Sequence, residues 1–354
     1  MNIDILSTYI MAALVEEIVP ETSFFKDRYF PTGAGDIFDA DEVLVEYRKA
    51  DLKMAAFVEP RAGDIPVDRR GYEISKFAPP YIAPSRVLTV DDLAKRGFGE
   101  SILATSSRAE RATRLVLQDF VDLDKRIQRR EEWMCAQVMI TNGCEMQQYI
   151  DAETEGEKLR IRYYEGNSDH EYTIATKWDS PAGKFFGDVE AMCWKLAKRG
   201  LQAADLILGS QAAQAVSDIE KVQKLLDNRN MTFGTLAPRV EEYAGIAFIG
   251  SLNFGGFQLN IFNVLHSYVN DAGQTVPFFP ATSAMVTAPG CGRTMYGQVT
   301  QIDYGKEIHS THVGSRIPKL TVNQDKDIRK LRLAARPLAA PNNASPFIYA
   351  KNVV

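Results

Sequence analysis

The sequence predicts an α+β fold, and three observations lead to this prediction. Positions 41 to 90 combine strand-type alternation with five prolines, a long segment after them has helical spacing, and the region from position 187 alternates helix and strand patterns. The chain has 354 residues, of which 45% are hydrophobic and 25% charged, so it can bury a sizeable core. This length fits two domains or one large domain.

The charge and the cysteines exclude some classes of protein. The net charge is −5 and the pI is about 5.6, whereas a protein that grips nucleic acid usually has a basic excess. A weakly acidic protein can still lie close to DNA, because counterions screen its charge within about 10 Å. The four cysteines show no CxxC pair and no zinc-type spacing, so we expect reduced, partly buried thiols: Cys135, Cys144, Cys193 and Cys291.

Residues 1–40 are expected to form an arm. They join a short apolar stretch, Tyr9 to Val15, to the run PETSFFKDRYFPTGAGD, which cannot form a core by itself. The arm would lie either across its own domain or on a neighbouring subunit. Glu16 and Glu17 follow the apolar stretch at once and no basic leader precedes it, so we expect no signal peptide. We also expect no membrane span, since no window approaches about 18 uninterrupted apolar residues.

Residues 41–90 predict an extended two-stranded loop. Val43, Val45 and Tyr47 recur at every second position, as in a strand. Five prolines keep this region out of helices and central strands: Pro60, Pro66, Pro79, Pro80 and Pro84. Because a two-stranded hairpin is only marginally stable alone, its apolar residues would need a partner surface.

The segment from about Ser107 to Asn142 is the clearest helix. Its apolar residues recur at helical spacing: Ala112, Leu115, Val116, Phe120, Leu123, Ile127, Met134 and Val138. Ser106 or Ser107 can cap its start and Gly143 can end it. At 1.5 Å per residue this helix would be roughly 50 Å long, and we call it the spine helix. Its charged run DKRIQRREE is expected to be a solvated or interface face.

Strand and helix patterns follow the spine helix. The alternation around Ile161 stops at EGNSDH and resumes at Tyr172, which predicts a hairpin. From 187 onwards a helix, the strand ADLILG, a second helix and the strands GIAFIGS, FQLNIFNV and SAMVTA predict a mixed α/β unit of about 120 residues. The tail from 318 to 354 is strand-like and is expected to return to the spine region.

Candidates for chemistry are few. His309 and His312 form an HxxH pair on a strand-like run without a third ligand, so we expect no metal site there. The motifs GAG at 33–35 and GCGR at 290–293 lack the strand-to-helix context of a phosphate-binding loop, and FGGF at 254–257 is typical of a hairpin turn. The acidic run DIFDADE lacks the ligand pattern of an EF-hand and is expected to be solvated. We therefore predict no catalytic residue, no cofactor and no metal ligand.

Several stretches resemble the lambda-like capsid protein E family of tailed phages. Two of them lie in the extended loop and are predicted to form its subunit interface: Arg69, Arg70, Gly71 and Tyr72, then Phe77, Pro79, Pro80 and Tyr81. The spine segment DLDKRIQRREEWMCAQVMITNG, the run YVNDAGQTVPFFPATSAMVTAPGCGRTMYG and the ending RLAARPLAAPNNASPFIYAKNVV are also similar to the family. The likeness extends from about residue 40 to the C-terminus.

The resemblance implies the Hong Kong 97-type capsid fold. Its parts would be an N-terminal arm (1–40), an extended loop (41–90), a peripheral domain with the spine helix and a hairpin (91–186), an axial α/β domain (187–316) and return strands of the peripheral domain (317–354). It implies a major capsid protein without catalytic activity that assembles with itself as hexamers and pentamers into an icosahedral shell around double-stranded DNA. The implied partners are a separate scaffolding protein, a portal protein and DNA contacted non-specifically; whether a decoration protein joins them stays open. The implied location is the virion capsid, preceded by the host cytoplasm.

Two other functions stay open at this point. A metal- or nucleotide-dependent enzyme could be built on the α/β region from 187 to 300, and it would be monomeric with saturable ligand binding. Another phage structural protein, such as a tail tube or connector subunit, would instead assemble into rings.

Overall fold

The structure is a computed structural model. It describes residues 23–40, 42–47, 73–89, 108–149, 155–163, 170–220, 222, 234–235, 243, 245–271, 273–303, 307–323 and 328–354. Within these residues the helices are a π-helical turn, Phe25–Tyr29, then α1, Arg108–Thr141, α2, Phe185–Ala197, and α3, Ser210–Ser217. The first ten strands are β1 Val43–Tyr47, β2 Glu73–Phe77, β3 Ser85–Leu88, β4 Gly143–Tyr149, β5 Glu155–Arg162, β6 Glu171–Tyr172, β7 Asp205–Gly209, β8 Gly234–Thr235, β9 Ile246–Phe254 and β10 Phe257–Val264. The others are β11 Ser267–Val269, β12 Thr275–Pro277, β13 Ala284–Thr287, β14 Gly292–Tyr296, β15 Val299–Ile302, β16 His309–His312, β17 Ile317–Asn323, β18 Ile328–Ala334, β19 Pro337–Pro341 and β20 Ile348–Ala350.

The predicted spine helix is confirmed as α1, with 34 residues. The prediction that Gly143 ends it is wrong, because Asn142 takes the left-handed conformation (φ 56°) and donates from Nδ2 to the Tyr163 carbonyl oxygen at 2.8 Å. Gly143 serves close packing instead, since a Cβ there would overlap the carbonyl oxygen of Ile161 on β5. The proposed caps Ser106 and Ser107 lie outside the described residues.

The largest sheet in the described part of the chain is mixed and has seven strands, in the order β6-β20-β13-β7-β10-β9-β8. Its central strand β7 is buried on both faces: Leu206 and Leu208 pack against α2 and α3, whereas Ile207 belongs to the core shared with the spine helix. The predicted turn at FGGF joins β9 to β10, with Gly255 and Gly256 at positive φ.

A smaller group of strands packs on the spine helix. A three-stranded sheet, in the order β17-β18-β3, buries leucines such as Leu331 and Leu333 against Phe120 and Leu123 of α1. Strand β1 pairs antiparallel with β2, from Val43 opposite Phe77 to Tyr47 opposite Glu73, so the two ends of the predicted loop meet as strands. Residues 48–72 lie outside the described part.

Two predictions of strand pairing are wrong. Strand β5 pairs with β4, directly after the spine helix, and not with the segment at Tyr172, which instead pairs in parallel with β20. The tail was expected to return to the spine helix. Strand β18 does so, but strand β20 belongs to the seven-stranded sheet. Alternation marks a strand and its buried face, but it does not specify the partner strand.

Candidate functional site

An aromatic segment of the arm, residues 23–30, lies between the spine helix and the seven-stranded sheet, and we call it the arm anchor. Its four rings are buried with at most 1% exposure: Phe24, Phe25, Tyr29 and Phe30. Phe24 packs edge-on against Tyr29 and Phe25, with ring centroids 5.4 and 5.2 Å apart. The arm was expected to lie either on its own domain or on a neighbouring subunit, and this segment packs on its own chain. Residues 1–22 lie outside the described part.

Asp205, the first residue of the central strand β7, holds the arm anchor to the sheet. Its fully buried carboxylate accepts two hydrogen bonds from Arg28, from Nε at 2.7 Å and Nη2 at 2.9 Å. It accepts two more, from the Tyr29 hydroxyl at 3.0 Å and Asn260 Nδ2 at 3.2 Å. A carboxylate that binds a guanidinium group through two parallel hydrogen bonds fixes both the position and the orientation of the arginine side chain.

Glu132 of the spine helix binds the start of the π-helical turn. Its carboxylate accepts from the backbone N–H groups of Phe25 at 2.8 Å and Lys26 at 2.9 Å, which otherwise have no partner at a helix start. Burial raises the pKa of Glu132 to about 7, although both N–H bonds favour the charged form.

Glu131, one position earlier, is the centre of a buried ionic network. It accepts from Lys26 Nζ at 2.7 Å, from Arg316 Nη1 and Nη2 at 2.7 and 3.0 Å, and from the Tyr296 hydroxyl at 3.0 Å. Burial alone would raise the pKa of Glu131, but the charges of Arg316 and Lys26 outweigh it and lower the pKa to about 2. Arg316 also donates from Nε to Asp124. This network joins the arm anchor, the spine helix, β14 and the segment that leads into β17.

The base of the extended loop is built into the subunit. Phe77 packs edge-on against Tyr163, with ring centroids 5.0 Å apart, and Pro79 and Pro80 are buried. Arg336 donates from Nε to the Pro79 carbonyl oxygen at 3.4 Å. Tyr81 differs from these three, because half of its surface is exposed. The other four predicted interface residues, 69–72, lie outside the described part.

The histidine pair at 309 and 312 and the acidic run at 36–42, which were considered as metal sites, each include a residue that is hydrogen-bonded within the chain. His309 and His312 are three positions apart on strand β16, so their side chains point to opposite faces, and His312 Nε2 lies 3.1 Å from both carboxylate oxygens of Asp303. Asp36 of the DIFDADE run is buried and accepts from the Gly33 N–H at 2.7 Å, so its expected solvation is wrong. The described residues contain no group of three or more His, Cys, Asp or Glu that could hold a metal ion.

The cysteines are free thiols, and all four are buried. Burial raises the pKa of the Cys291 thiol to about 12, which keeps it protonated and unreactive. In the described part of the chain, no helix is long and apolar enough to cross a membrane.

Sequence reasoning missed the buried polar and charged side chains of the spine helix. The run DKRIQRREE was expected to face solvent or an interface, yet Asp124, Gln128, Glu131 and Glu132 are buried inside the subunit. The adjacent acids Glu131 and Glu132 follow Arg129 and Arg130, so local charge balance hid them. Their partners are more than 100 positions away in the chain, and no local pattern points to such partners.

Comparison with known proteins identifies the family. The profile of the family described as phage major capsid protein E matches residues 7–352. No curated protein sequence matches the chain. A structure described as a prophage capsid protein of E. coli CFT073 is 16% identical, with a TM-score of 0.64 over 98% of this chain and 99% of that one. A phage-related protein of Bordetella bronchiseptica RB50 is 11% identical, with a TM-score of 0.53 over 98% of both chains.

At these identities the two structures show the fold, and the profile match over nearly the whole length shows the family. The arrangement of long helix, loop base and mixed sheet is that of the Hong Kong 97-type capsid fold. The chain therefore belongs to the phage major capsid protein E family and forms capsid shells.

Proposed function

We propose that copies of this chain assemble as hexamers and pentamers into an icosahedral shell that encloses double-stranded DNA. The observation that carries the proposal is the family match over residues 7–352, joined to a subunit fold in which the arm and the loop base are firmly attached. Assembly would start in the host cytoplasm on a separate scaffolding protein and include a portal protein. A decoration protein and non-specific contact with DNA complete the proposed partners.

We also propose that the chain has no catalytic activity. The most deeply buried charges near the α/β region are engaged in holding the arm anchor: Asp205 binds Arg28 and Tyr29, and Glu131 binds Lys26 and Arg316. A catalytic carboxylate needs access to a substrate, and these carboxylates have none, since their side chains are fully buried.

The proposed parts follow the boundaries expected from the sequence, with arm 1–40, loop 41–90, peripheral domain 91–186 and axial domain 187–316. Within 317–354 we assign β17 to β19 to the peripheral domain. Strand β20 pairs with β13, and we assign it to the axial domain.

For the loop we propose that Arg69 and Arg70 bind carboxylates of a neighbouring subunit, since the planar guanidinium holds a carboxylate with two hydrogen bonds. Phe77, Pro79 and Pro80 would support the loop from inside its own subunit, and Tyr81 would meet the neighbour.

The test is the double variant Arg69→Ala with Arg70→Ala. We expect an unchanged melting temperature of the unassembled chain and a reduced yield of shells by sedimentation, because a weak contact is repeated at every subunit boundary. Arg160→Ala is the matched control, since Arg160 forms an exposed pair with Glu145 in which both side chains are more than half exposed. Normal shells from the double variant would exclude these arginines from assembly, and a lowered melting temperature would assign them to folding.

A further inference from the structure

The three-stranded sheet β17-β18-β3 has two faces of different character. Leu320 and Leu331, directly paired across β17 and β18, are buried on the face that packs against the spine helix. The opposite face is formed by two rows of paired residues: Lys319, Arg332 and Ser85, then Thr321, Lys330 and Val87. These rows are at least partly open to solvent, and we call them the basic face.

The basic face has three positive charges that form no ion pair with any residue in the described part of the subunit. Among the described residues neither Lys319 nor Lys330 forms an ion pair. Arg332 donates to the neutral side chain of Gln301 at 2.8 Å. Asp303, the carboxylate that acts electrostatically on Lys319, is buried and already bound by His312 and Gln301.

This arrangement is unfavourable in the isolated subunit. Lys319 and Arg332 are direct cross-strand neighbours, and like charges in such a pair destabilise a sheet. Burial and then the positive charge of Arg332 lower the pKa of Lys319, the direction expected for a cation beside a like charge. An anionic partner would relieve this repulsion.

Apolar surface lies beside these charges. Tyr81 is 50% exposed and has the Arg332 guanidinium 6.0 Å from its ring centroid, and Val87, the cross-strand partner of Lys330, is 45% exposed. Arg and Tyr are enriched at protein–protein interfaces, whereas lysines such as Lys319 and Lys330 are typical of the polar rim. Binding to phosphate groups would use the charges but leave the tyrosine and valine without a partner.

We propose that the basic face is an interface between copies of this chain, at which Lys319, Lys330 and Arg332 bind carboxylates of a second copy. The whole chain has a net charge of −5, so its surface outside the basic face is acidic and complementary to it. An exposed carboxylate such as that of Asp39 is available on a second copy. The inference rests on the proposed function, because shell assembly brings copies together, and it specifies one surface they use.

Zero-length cross-linking tests the proposal directly. Shells are assembled from equal amounts of ¹⁴N- and ¹⁵N-labelled chains and treated with a carbodiimide, which joins a lysine amine only to a carboxylate in contact with it. We expect mixed-isotope cross-linked peptides that contain Lys319 or Lys330. The exposed pair of Lys76 and Glu42, 3.9 Å apart, provides the control for cross-linking within one chain.

The two ways of failing are distinguishable. Wild-type chains that never form shells would refute the proposed function itself. Shells that give the Lys76–Glu42 product, but no mixed-isotope product at Lys319 or Lys330, would refute only the basic-face interface.

Charge reversal gives an independent readout. Lys319→Glu with Lys330→Glu should lower the amount of assembled protein about tenfold in nuclease-treated samples. The melting temperature of the unassembled chain should not fall, because a carboxylate at position 319 faces Arg332 across the strands and replaces the repulsion of two like charges. Arg329→Glu is the matched control, because Arg329 lies on the same strand but on the opposite face. If the reversed chain does not fold, the double variant Lys319→Gln with Lys330→Gln, which removes both positive charges without introducing negative ones, is tested instead. Normal assembly of the folded variant, with or without a loss of bound DNA, would overturn the proposal, and a loss of DNA would assign the face to phosphate binding.

Discussion

Replacing Glu131 by Gln should destabilise the unassembled subunit by about 3 kcal/mol. The substitution keeps the shape of the side chain but removes the charge that Lys26 and Arg316 share. Both cations are mostly buried, with side-chain exposures of 17% and 9%, so water cannot replace the lost carboxylate. Asp124 would remain as the partner of Arg316, but in the described structure Lys26 has no second carboxylate in ion-pair contact.

Two routes give this magnitude. Removing one partner of a buried ion pair generally costs about 3–5 kcal/mol. The lowering of the Glu131 pKa from 4.5 to about 2 corresponds to about 3 kcal/mol of stabilisation by its charged form. Because the pKa is lowered in the folded chain, this stabilisation is present above pH 4.5 and is lost as the pH falls through about 2. For 354 residues, 3 kcal/mol should lower the melting temperature by roughly 4 °C.

The assay is thermal unfolding of unassembled protein at pH 7 and again near pH 3. Glu145→Gln is the matched control, since among the described residues Glu145 forms an ion pair with Arg160 alone, at an exposed site, and should change the stability by at most about 0.5 kcal/mol. We expect the difference between the Glu131 variant and the wild type to shrink as the pH falls. A Glu131 variant that melts within about 1 °C of the wild type at pH 7 would show that the network does not hold the arm anchor.

Two further predictions concern the same junction. The pKa of Glu132 is raised to about 7, so its contribution to stability is complete below pH 4.5 and is lost as the pH rises through about 7; Glu132→Gln should therefore flatten the change in melting temperature between pH 5 and 8, and equal slopes would contradict this. At Gly292 a Cβ would overlap the Phe30 ring, so Gly292→Ala should cost about 1–3 kcal/mol by urea unfolding. Gly35→Ala, with no atom within 4 Å of its Cβ, should leave the urea midpoint nearly unchanged, and an equal effect of both substitutions would exclude overpacking.

Local pattern was sufficient where one face of an element is apolar over several turns or pairs. The helix around Phe120 and Ile127 follows directly from spacing, because burial of a continuous stripe requires that spacing. The strand at 205–209 is buried on both faces and follows instead from its short, continuous apolar run. The order of such elements, together with the motifs in the loop and tail, also predicted the correct family. Residue-level interfaces were harder: Phe77 and Pro79 share a motif with Tyr81, yet they are internal and Tyr81 is exposed.

The sequence by itself determined the spine helix, the strands at 205–209 and 284–287, the turn at FGGF, and the capsid family to which the chain belongs. Only the tertiary structure decided that β5 pairs with β4, that β20 enters the seven-stranded sheet, and that Glu131 and Glu132 of a charged helix are buried. The physical reason is that hydrophobic burial needs only a periodic face, which local sequence encodes. A buried charge or an open strand edge instead needs one specific partner, and here Glu131 finds Lys26 and Arg316 at separations of 105 and 185 positions.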